Sequence, residues 1–190
     1  MEKIEFILPT FNRLHELKVA LGCLLAQTSS KWIANVVIDI PDKTIADDIV
    51  NEINDERIYT THLNKRYNDW GHTPREVGKQ MSKADYIIMT GDDGYYCPTL
   101  VADLTAMINA YHPDIIYWDM VHSHYNYQYF KCEPRTHAID MGAFCVKREL
   151  AQQIQLKTNF AADGDYVEDF KKKFPKAKMK KINKILFVHN

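Results

Sequence analysis

The sequence has few cysteines and no long apolar segment. Its 190 residues include four cysteines that lie far apart and form no CxxC pair, namely Cys23, Cys97, Cys132 and Cys145. This spacing fits neither a zinc-binding framework nor a dense disulfide scaffold, so we expect four reduced thiols. No stretch approaches the roughly 20 apolar residues of a membrane span, and the first apolar run is too short for a signal peptide. These absences predict a cytoplasmic protein without an integral membrane segment.

The sequence also lacks a large net charge. It has 24 Lys and Arg against 25 Asp and Glu, a net of −1, which leaves no global basic field to attract nucleic acid. The balance hides an asymmetry, because residues 171–190 contain eight lysines and no acidic residue. We expect a solvated basic face there. Attraction to an anionic donor or acceptor, or peripheral contact with an anionic membrane surface, is a second interpretation.

Short apolar runs alternate with amphipathic stretches along the chain. This pattern predicts an α/β fold in a single domain, with a mostly parallel central sheet flanked by helices. Strands are predicted at Ile4–Leu8, Trp32–Asp39, Arg57–Leu63, Asp85–Thr90, Asp114–Val121, Gly142–Val146 and Ile182–Val188. Helices are predicted at His15–Gln27, Thr44–Ile53, Thr73–Ser82, Pro98–Ala110, from Arg148, and at Tyr166–Lys173. The helix after Trp70 opens with Thr, Pro, Arg and Glu, the residue types of a capping box, and residues 122–135 predict a hairpin or loop.

Two adjacent acids follow a strongly apolar strand in the segment DYIIMTGDDGYYCP. Asp92 and Asp93 would repel each other at a strand end, so they favour a cation. Their oxygens suit Mg²⁺ or Mn²⁺, especially where phosphate oxygens complete the coordination. The carboxyl ends of strands are also where open α/β sheets bind ligands. A solvated turn is the second interpretation, because Gly94 permits the positive φ of an Asp-Gly turn.

Polar residues also follow the first two predicted strands. Thr10, Asn12 and Arg13 stand just before a helix, whose N-terminus favours phosphate, although they also serve as ordinary caps. Asp39 ends the second strand, where a lone Asp is commonly a turn residue. The sequence contains neither GxGxxG nor GxxxxGK[ST], so it has no dinucleotide fingerprint and no P-loop.

The eight histidines include one pair with the spacing of metal ligands. His122 and His124 form an HxH sequence, which on a strand places both side chains on one face. That arrangement could bind a metal, but the sequence supplies no clear third ligand nearby.

Five segments, in this order, resemble the family 2 glycosyltransferases of the GT-A fold. FILPTFNRLHELKVALGCLLAQT is similar to the opening strand and helix of the family, and DYIIMTGDDGYYCPTLVADL to its metal-motif segment. HAIDMGAFCVKRELA resembles the segment that shapes the acceptor side, FAADGDYVEDF the acidic segment with the catalytic base, and FVHN the late metal-side histidine. The resemblance runs from about residue 4 to residue 190 and implies a near-minimal GT-A (Rossmann-like) domain. It further implies a nucleotide-sugar half at about 1–95 and an acceptor half with a basic tail at about 96–190.

The resemblance also implies roles for individual residues. The residues implied to bind the nucleotide sugar are Pro9, Thr10, Asn12, Arg13, Asp39, Arg75 and Asp92. Asp92, Asp93 and His189 would bind Mn²⁺ or Mg²⁺, and Asp163 or Asp165 would be the base. The residues implied on the acceptor side are Tyr95, Tyr96, Trp118 and Asp140; for Trp118 core packing is the competing interpretation.

The implied reaction is metal-dependent transfer of a sugar from a nucleoside diphosphate sugar, by default linked to UDP, to a glycan or other hydroxyl acceptor with inversion. Gly91 stands where the family usually has its first metal-motif acid, so one ligand is missing or shifted. Two alternatives are a metal-dependent nucleotidyltransferase or phosphohydrolase and a non-catalytic nucleotide-sugar-binding domain. The lack of a Gly-rich phosphate loop disfavours the nucleotidyltransferase.

Overall fold

The computed structural model describes residues 2–190. Its strands are β1 (Ile4–Thr10), β2 (Trp32–Ile38), β3 (Ile58–His62), β4 (Tyr86–Met89), β5 (Gly94–Tyr96), β6 (Ile115–His122), β7 (Gln128–Phe130), β8 (Phe144–Lys147) and β9 (Met179–His189). Its α-helices are α1 (Leu14–Leu25), α2 (Ile45–Ile53), α3 (His72–Met81), α4 (Leu100–Tyr111), α5 (Arg148–Ala151) and α6 (Ala162–Lys173). Short 3₁₀ turns lie at Ser123–Tyr125 and Met141–Ala143.

One sheet runs through the described residues in the order β3-β2-β1-β4-β8-β6-β9-β5, and β7 pairs with the end of β6. The first four strands are parallel. β8 is antiparallel to both β4 and β6, whereas β6 and β9 are parallel. The α/β fold predicted from the sequence is therefore confirmed. Residues 122–135 form the predicted hairpin, through β7.

Both faces of the sheet are covered, which explains the near-continuous apolar strands of its first half. All seven residues of β1 are buried, as expected for a parallel strand with helices on both sides. α1 contributes Leu17, Leu21 and Leu24 to the core, and the large buried side chains around them include Trp32 and Phe6. α2 begins with a capping box in which Thr44 and Asp47 bond each other's backbone N–H groups.

Two local predictions were wrong. The first strand does not end at Leu8, as predicted, but continues through Pro9 to Thr10. Pro9 is tolerated because pairing with β4 already stops at Ile7, so its missing N–H group leaves no ladder bond unmade on that side. The capping box predicted at Thr73 does not form either. The helix begins one residue earlier, and the carboxylate of Asp69 accepts hydrogen bonds from both the backbone N–H and the hydroxyl of Thr73. Glu76 instead binds the buried Lys79 ammonium.

The strand directions bring distant parts of the chain to one edge of the sheet. Because β8 is antiparallel to β4 and to β6, the carboxyl ends of β1, β2, β4, β6 and β9 share that edge with the start of β8. The polar residues predicted after several strands therefore gather at this edge. Within residues 2–190, no helix has both the length and the hydrophobicity required to cross a bilayer.

Candidate functional site

Two adjoining cavities open at the carboxyl edge of the sheet. The larger, about 590 Å³, is named here the Thr10 cavity, and the smaller, about 300 Å³, the Asp163 cavity. The side chains that line the Thr10 cavity include Pro9, Thr10, Arg13, Asp39, Asp92 and Asn190. Those that line the Asp163 cavity include His72, Asp140, Asn159, Phe160 and Asp163. Trp70, Arg75, Gly91, Asp93 and His189 border both, so the two cavities form one continuous site.

The acid pair after β4 is held by groups from the end of β1. Thr10 Oγ1 donates to Asp92 Oδ2 at 2.7 Å, and Arg13 Nη1 lies 2.7 Å from Asp93 Oδ2 and 3.5 Å from Asp92 Oδ1. The cation that two adjacent carboxylates need is thus supplied by a side chain. Burial raises the pKa of Asp92 to about 6 against the opposing effects of Thr10 and Arg13.

Gly91 leaves space for the carboxylate of Asp93. A Cβ atom at Gly91 would lie 2.5 Å from Asp93 Oδ1, closer than real Cβ contacts allow. The glycine at the position of the expected acid thus leaves the room that the Asp93 carboxylate occupies. A side chain there would force that carboxylate to shift.

Arg75 places a second guanidinium group between the cavities. It lies in the first turns of α3, where Nε donates to Thr90 O at 2.7 Å and Nη1 donates to Trp70 O at 2.9 Å. These two backbone acceptors come from different segments, so the position of the guanidinium is tightly defined. Its charge faces a site that also holds Asp93, Asp140 and Asp163.

The two acids predicted as alternative bases have opposite environments. Asp163 lines the Asp163 cavity, where burial, and then the nearby Asp140 carboxylate, raises its pKa to about 7. Asp165 lines neither cavity. It accepts hydrogen bonds from Asn159 (3.1 Å) and Thr136 (3.3 Å), and the pKa of Asp165 is lowered, chiefly by the Asn159 bond. The geometry therefore separates two residues that the sequence left equivalent.

Three side chains from separate elements form a compact cluster in the site. His122 and His189 are register partners at the ends of β6 and β9, with their rings stacked at a centroid distance of 4.2 Å. His189 Nε2 lies 3.7 Å from Asp140 Oδ2. One ligand atom from each of these three residues lies within 4.8 Å of the other two. Burial lowers the pKa of His122 to about 4, with the neighbouring histidines adding to the effect.

Three of the predicted acceptor-side residues line neither cavity. Trp118 is fully buried in β6, so the competing core-packing interpretation is correct. Tyr96 is also buried, between the rings of Phe6 and Phe187, and its hydroxyl donates to Gly142 O at 3.1 Å. Tyr95 points the other way in the same strand but lines neither cavity, and its hydroxyl accepts from Asn190 at 3.4 Å. Asp140 does line the Asp163 cavity.

Two residues predicted to contact the nucleotide, Asp39 and Asn12, have surroundings that the sequence did not predict. The carboxylate of Asp39 accepts hydrogen bonds from the backbone N–H groups of Tyr67 (2.9 Å) and Asn68 (3.0 Å), so it anchors the loop before α3 while bordering the Thr10 cavity. Asn12 has a positive φ of 53° and lines a separate small cavity of about 50 Å³.

Sequence reasoning did not assign three side chains to the site. His122 has the HxH signal, but its neighbours in the cluster come from β9 and from the start of β8, which no local pattern shows. Trp70 and Phe160 are not among the site residues that the resemblance implies. These two aromatic side chains border the Asp163 cavity while remaining 82% and 91% exposed.

The comparisons with known proteins identify the fold. No family model and no curated protein matches the sequence. Among solved structures, S. aureus TarS 1–349 matches with a TM-score of 0.80 at 16% identity, covering 99% of this chain and 60% of that one. The complex of TarS 1–349 with UDP-GlcNAc gives 0.79 at 14% identity, covering 98% of this chain and 58% of that one.

A mannosyltransferase, PcManGT from Pyrobaculum calidifontis in complex with GDP-Man and Mn²⁺, matches with a TM-score of 0.74 at 14% identity. The match covers 98% of this chain and 56% of that one. The chain thus spans about 60% of the length of the TarS 1–349 chain. The protein has the GT-A fold of glycosyltransferases, as its sequence resemblance implied.

Proposed function

We propose that the protein is a glycosyltransferase that moves a sugar from a nucleoside diphosphate sugar to an acceptor hydroxyl. The observation that carries this proposal is that a half-buried carboxyl group, Asp163, shares one continuous site with two guanidinium groups, Arg13 and Arg75. Transfer of a sugar requires positive charge at the leaving diphosphate and a base at the acceptor. These residues provide both at the carboxyl edge of a sheet, where open α/β folds bind ligands.

The Thr10 cavity is the proposed site of the nucleoside diphosphate. Pro9, Thr10 and Asp39 line it from residues 1–95, and Arg75 and Arg13 place positive charge beside it. Solved proteins with this fold were determined in complex with UDP-GlcNAc and with GDP-Man, which supports a nucleotide sugar as donor. UDP is the proposed nucleotide, on the sequence resemblance and the TarS complexes.

Asp163 is the proposed general base. Its carboxylate would accept the proton of the acceptor hydroxyl as that oxygen attacks the anomeric carbon, and the diphosphate leaves with the bonding electron pair. Attack from the face opposite the leaving group inverts the anomeric configuration. The acceptor would enter through the Asp163 cavity, in the half formed mainly by residues 96–190, past Trp70 and Phe160.

A divalent cation, Mn²⁺ or Mg²⁺, is the proposed cofactor. His189 and Asp93 border both cavities, although Asp92 and Asp93 are already paired with Arg13. When bound, the ion would stabilise the leaving diphosphate as a Lewis acid. The mannosyltransferase with the same fold was determined with Mn²⁺, which supports this cofactor.

A product assay tests the proposal. Protein is incubated with Mn²⁺, a panel of nucleotide sugars and a panel of sugar acceptors, and nucleoside diphosphate release is measured. We expect diphosphate and a glycosylated acceptor, with a loss of about 10²- to 10⁴-fold in Asp163→Asn. Asp165→Asn is the matched control and should retain turnover, since its carboxylate lies outside both cavities.

Each contrary product identifies a different function. Nucleoside monophosphate or pyrophosphate would replace the proposal with a nucleotidyltransferase or phosphohydrolase. Nucleotide-sugar binding without any turnover across both panels would replace it with a non-catalytic binding domain.

A further inference from the structure

We infer that His122, Asp140 and His189 form a binding site for a first-row transition metal ion such as Mn²⁺, Co²⁺ or Zn²⁺, in preference to Mg²⁺. The inferred ligand set differs from the set implied by the sequence resemblance, Asp92, Asp93 and His189, and His189 is the one residue common to both. The inference concerns metal binding alone, so it does not require that the protein transfer sugars.

The backbone positions all three ligands from ordered elements. β6 and β9 run parallel and end together, which sets His122 beside His189 in register. β8 is antiparallel to β6, so the turn that precedes β8 returns to the same edge. Asp140 caps that turn, and its Oδ1 accepts from the backbone N–H of Gly142 at 2.8 Å. The other oxygen, Oδ2, is the one that lies 3.7 Å from His189 Nε2.

The donor atoms select the type of ion. Two imidazole nitrogens and one carboxylate oxygen suit Mn²⁺, Fe²⁺, Co²⁺ and Zn²⁺, whereas Mg²⁺ requires an octahedral shell of oxygen ligands. Three protein ligands also leave coordination positions open, as in catalytic metal sites. The cluster borders both cavities through His189, so those open positions would face the site.

The surroundings of the rings are consistent with ligation. Ser123 Oγ lies 3.2 Å from His189 Nδ1, which orients that ring with Nε2 toward Asp140, the arrangement by which outer groups orient metal-bound histidines. Nδ1 of His122 accepts a hydrogen bond from the N–H of His124 at 3.1 Å. When His122 binds a metal ion, it therefore loses this one exposed hydrogen bond and gains a bond to the metal.

The acid pair is the weaker candidate for binding a metal alone. Asp92 and Asp93 share the positive charge of Arg13, and Thr10 occupies Asp92 Oδ2. A free ion would have to displace the guanidinium from Asp93 before both carboxylates could ligate it. Within residues 2–190, Asp140 forms an ion pair within 4 Å only with His189 itself, and the Arg75 guanidinium acts on Asp140 from a longer distance.

Metal titration without nucleotide tests the inference. Full-length protein is titrated with Co²⁺ by absorption spectroscopy, and with Mn²⁺, Zn²⁺ and Mg²⁺ by calorimetry. We expect one Co²⁺ site with visible absorption bands, much weaker Mg²⁺ binding, and a rise in Tm on adding Zn²⁺. His122→Ala should weaken Co²⁺ binding by about tenfold or more.

Two matched variants separate the inferred site from its neighbours. His124→Ala removes an adjacent histidine outside the cluster, and Asp93→Asn removes a charge of the acid pair; both should bind Co²⁺ as the wild type does. Circular dichroism and thermal unfolding establish that each variant is folded. Absence of Co²⁺ and Zn²⁺ binding in the wild type, unchanged binding in folded His122→Ala, or loss of binding in Asp93→Asn would each overturn the inference. Diphosphate release by the wild type would still support the proposed function in any of those cases.

Discussion

At the scale of single residues, burial separates chemically identical side chains. Asp163 and Asp165 stand two positions apart in the first turn of α6, yet the pKa of Asp163 is raised and that of Asp165 is lowered. The difference arises because Asp163 faces a partly desolvated cavity that contains Asp140, while Asp165 faces polar donors at the surface. A proton acceptor that titrates near neutral pH is well matched to general base catalysis.

The pKa of Asp163 predicts the pH dependence of turnover. A base must be ionised to accept a proton, so activity should rise with pH through about 7 and level off above it. The measurement is kcat against pH from about 5 to about 9 at saturating donor, acceptor and metal. Asp165→Asn should keep this profile, whereas the residual rate of Asp163→Asn should lose the step near 7. A wild-type midpoint near 4, the usual carboxyl value, would contradict the role of Asp163.

At the scale of elements, close packing at one glycine determines how α6 is rotated about its own axis. A Cβ atom at Gly164 would lie 2.3 Å from Thr136 Cα and 2.9 Å from Thr136 N, so only glycine lets the helix approach the segment before β8. This contact is backbone, which cannot move aside as a flexible side chain would. The helix is thereby held in the position that turns Asp163 into the cavity and Asp165 away from it.

Gly164→Ala should therefore reduce stability by about 1–3 kcal/mol, as expected for overpacking against backbone, and should also reduce turnover because Asp163 shifts. Gly22→Ala is a matched control, since Gly22 is an exposed position of α1 where a Cβ has no neighbour within 4 Å. That control should gain about 0.5–1 kcal/mol from the higher helix propensity of alanine. Chemical denaturation of both variants measures the two free energies of unfolding. A Gly164→Ala variant as stable as the wild type would refute the packing account.

At the scale of the whole molecule, the second half of the basic C-terminal segment, β9, is an interior strand of the sheet. β9 lies between β6 and β5, and Phe187 is buried against the backbone of Gly94 and Gly142. Two of its lysines pair with acids from earlier in the chain, Lys181 with Asp119 at 2.6 Å and Lys184 with Asp103 at 2.7 Å. The charge asymmetry of the sequence is therefore partly neutralised within the fold.

This position predicts that removing the end of the chain affects more than His189. Truncation after Lys184 would delete the residues that pair with β5, Tyr95 with Val188 and Tyr96 with Phe187, so we expect loss of cooperative unfolding as well as of turnover. His189→Gln keeps the strand and should fold normally while losing most activity. Circular dichroism melts and the diphosphate assay distinguish the two variants. A folded, fully active truncated protein would remove both His189 and the end of β9 from the proposed site.

The sequence by itself determined the alternation of strands and helices and the position of acids at strand ends, because periodicity and turn chemistry act over a few neighbouring residues. It thereby predicted the α/β fold and the segments that meet at the carboxyl edge. Only the tertiary structure decided which of Asp163 and Asp165 faces the cavity, that Tyr96 and Trp118 are buried, and that His122 adjoins His189. Those outcomes depend on strand order, register and close packing between segments far apart in the chain, which no local pattern encodes.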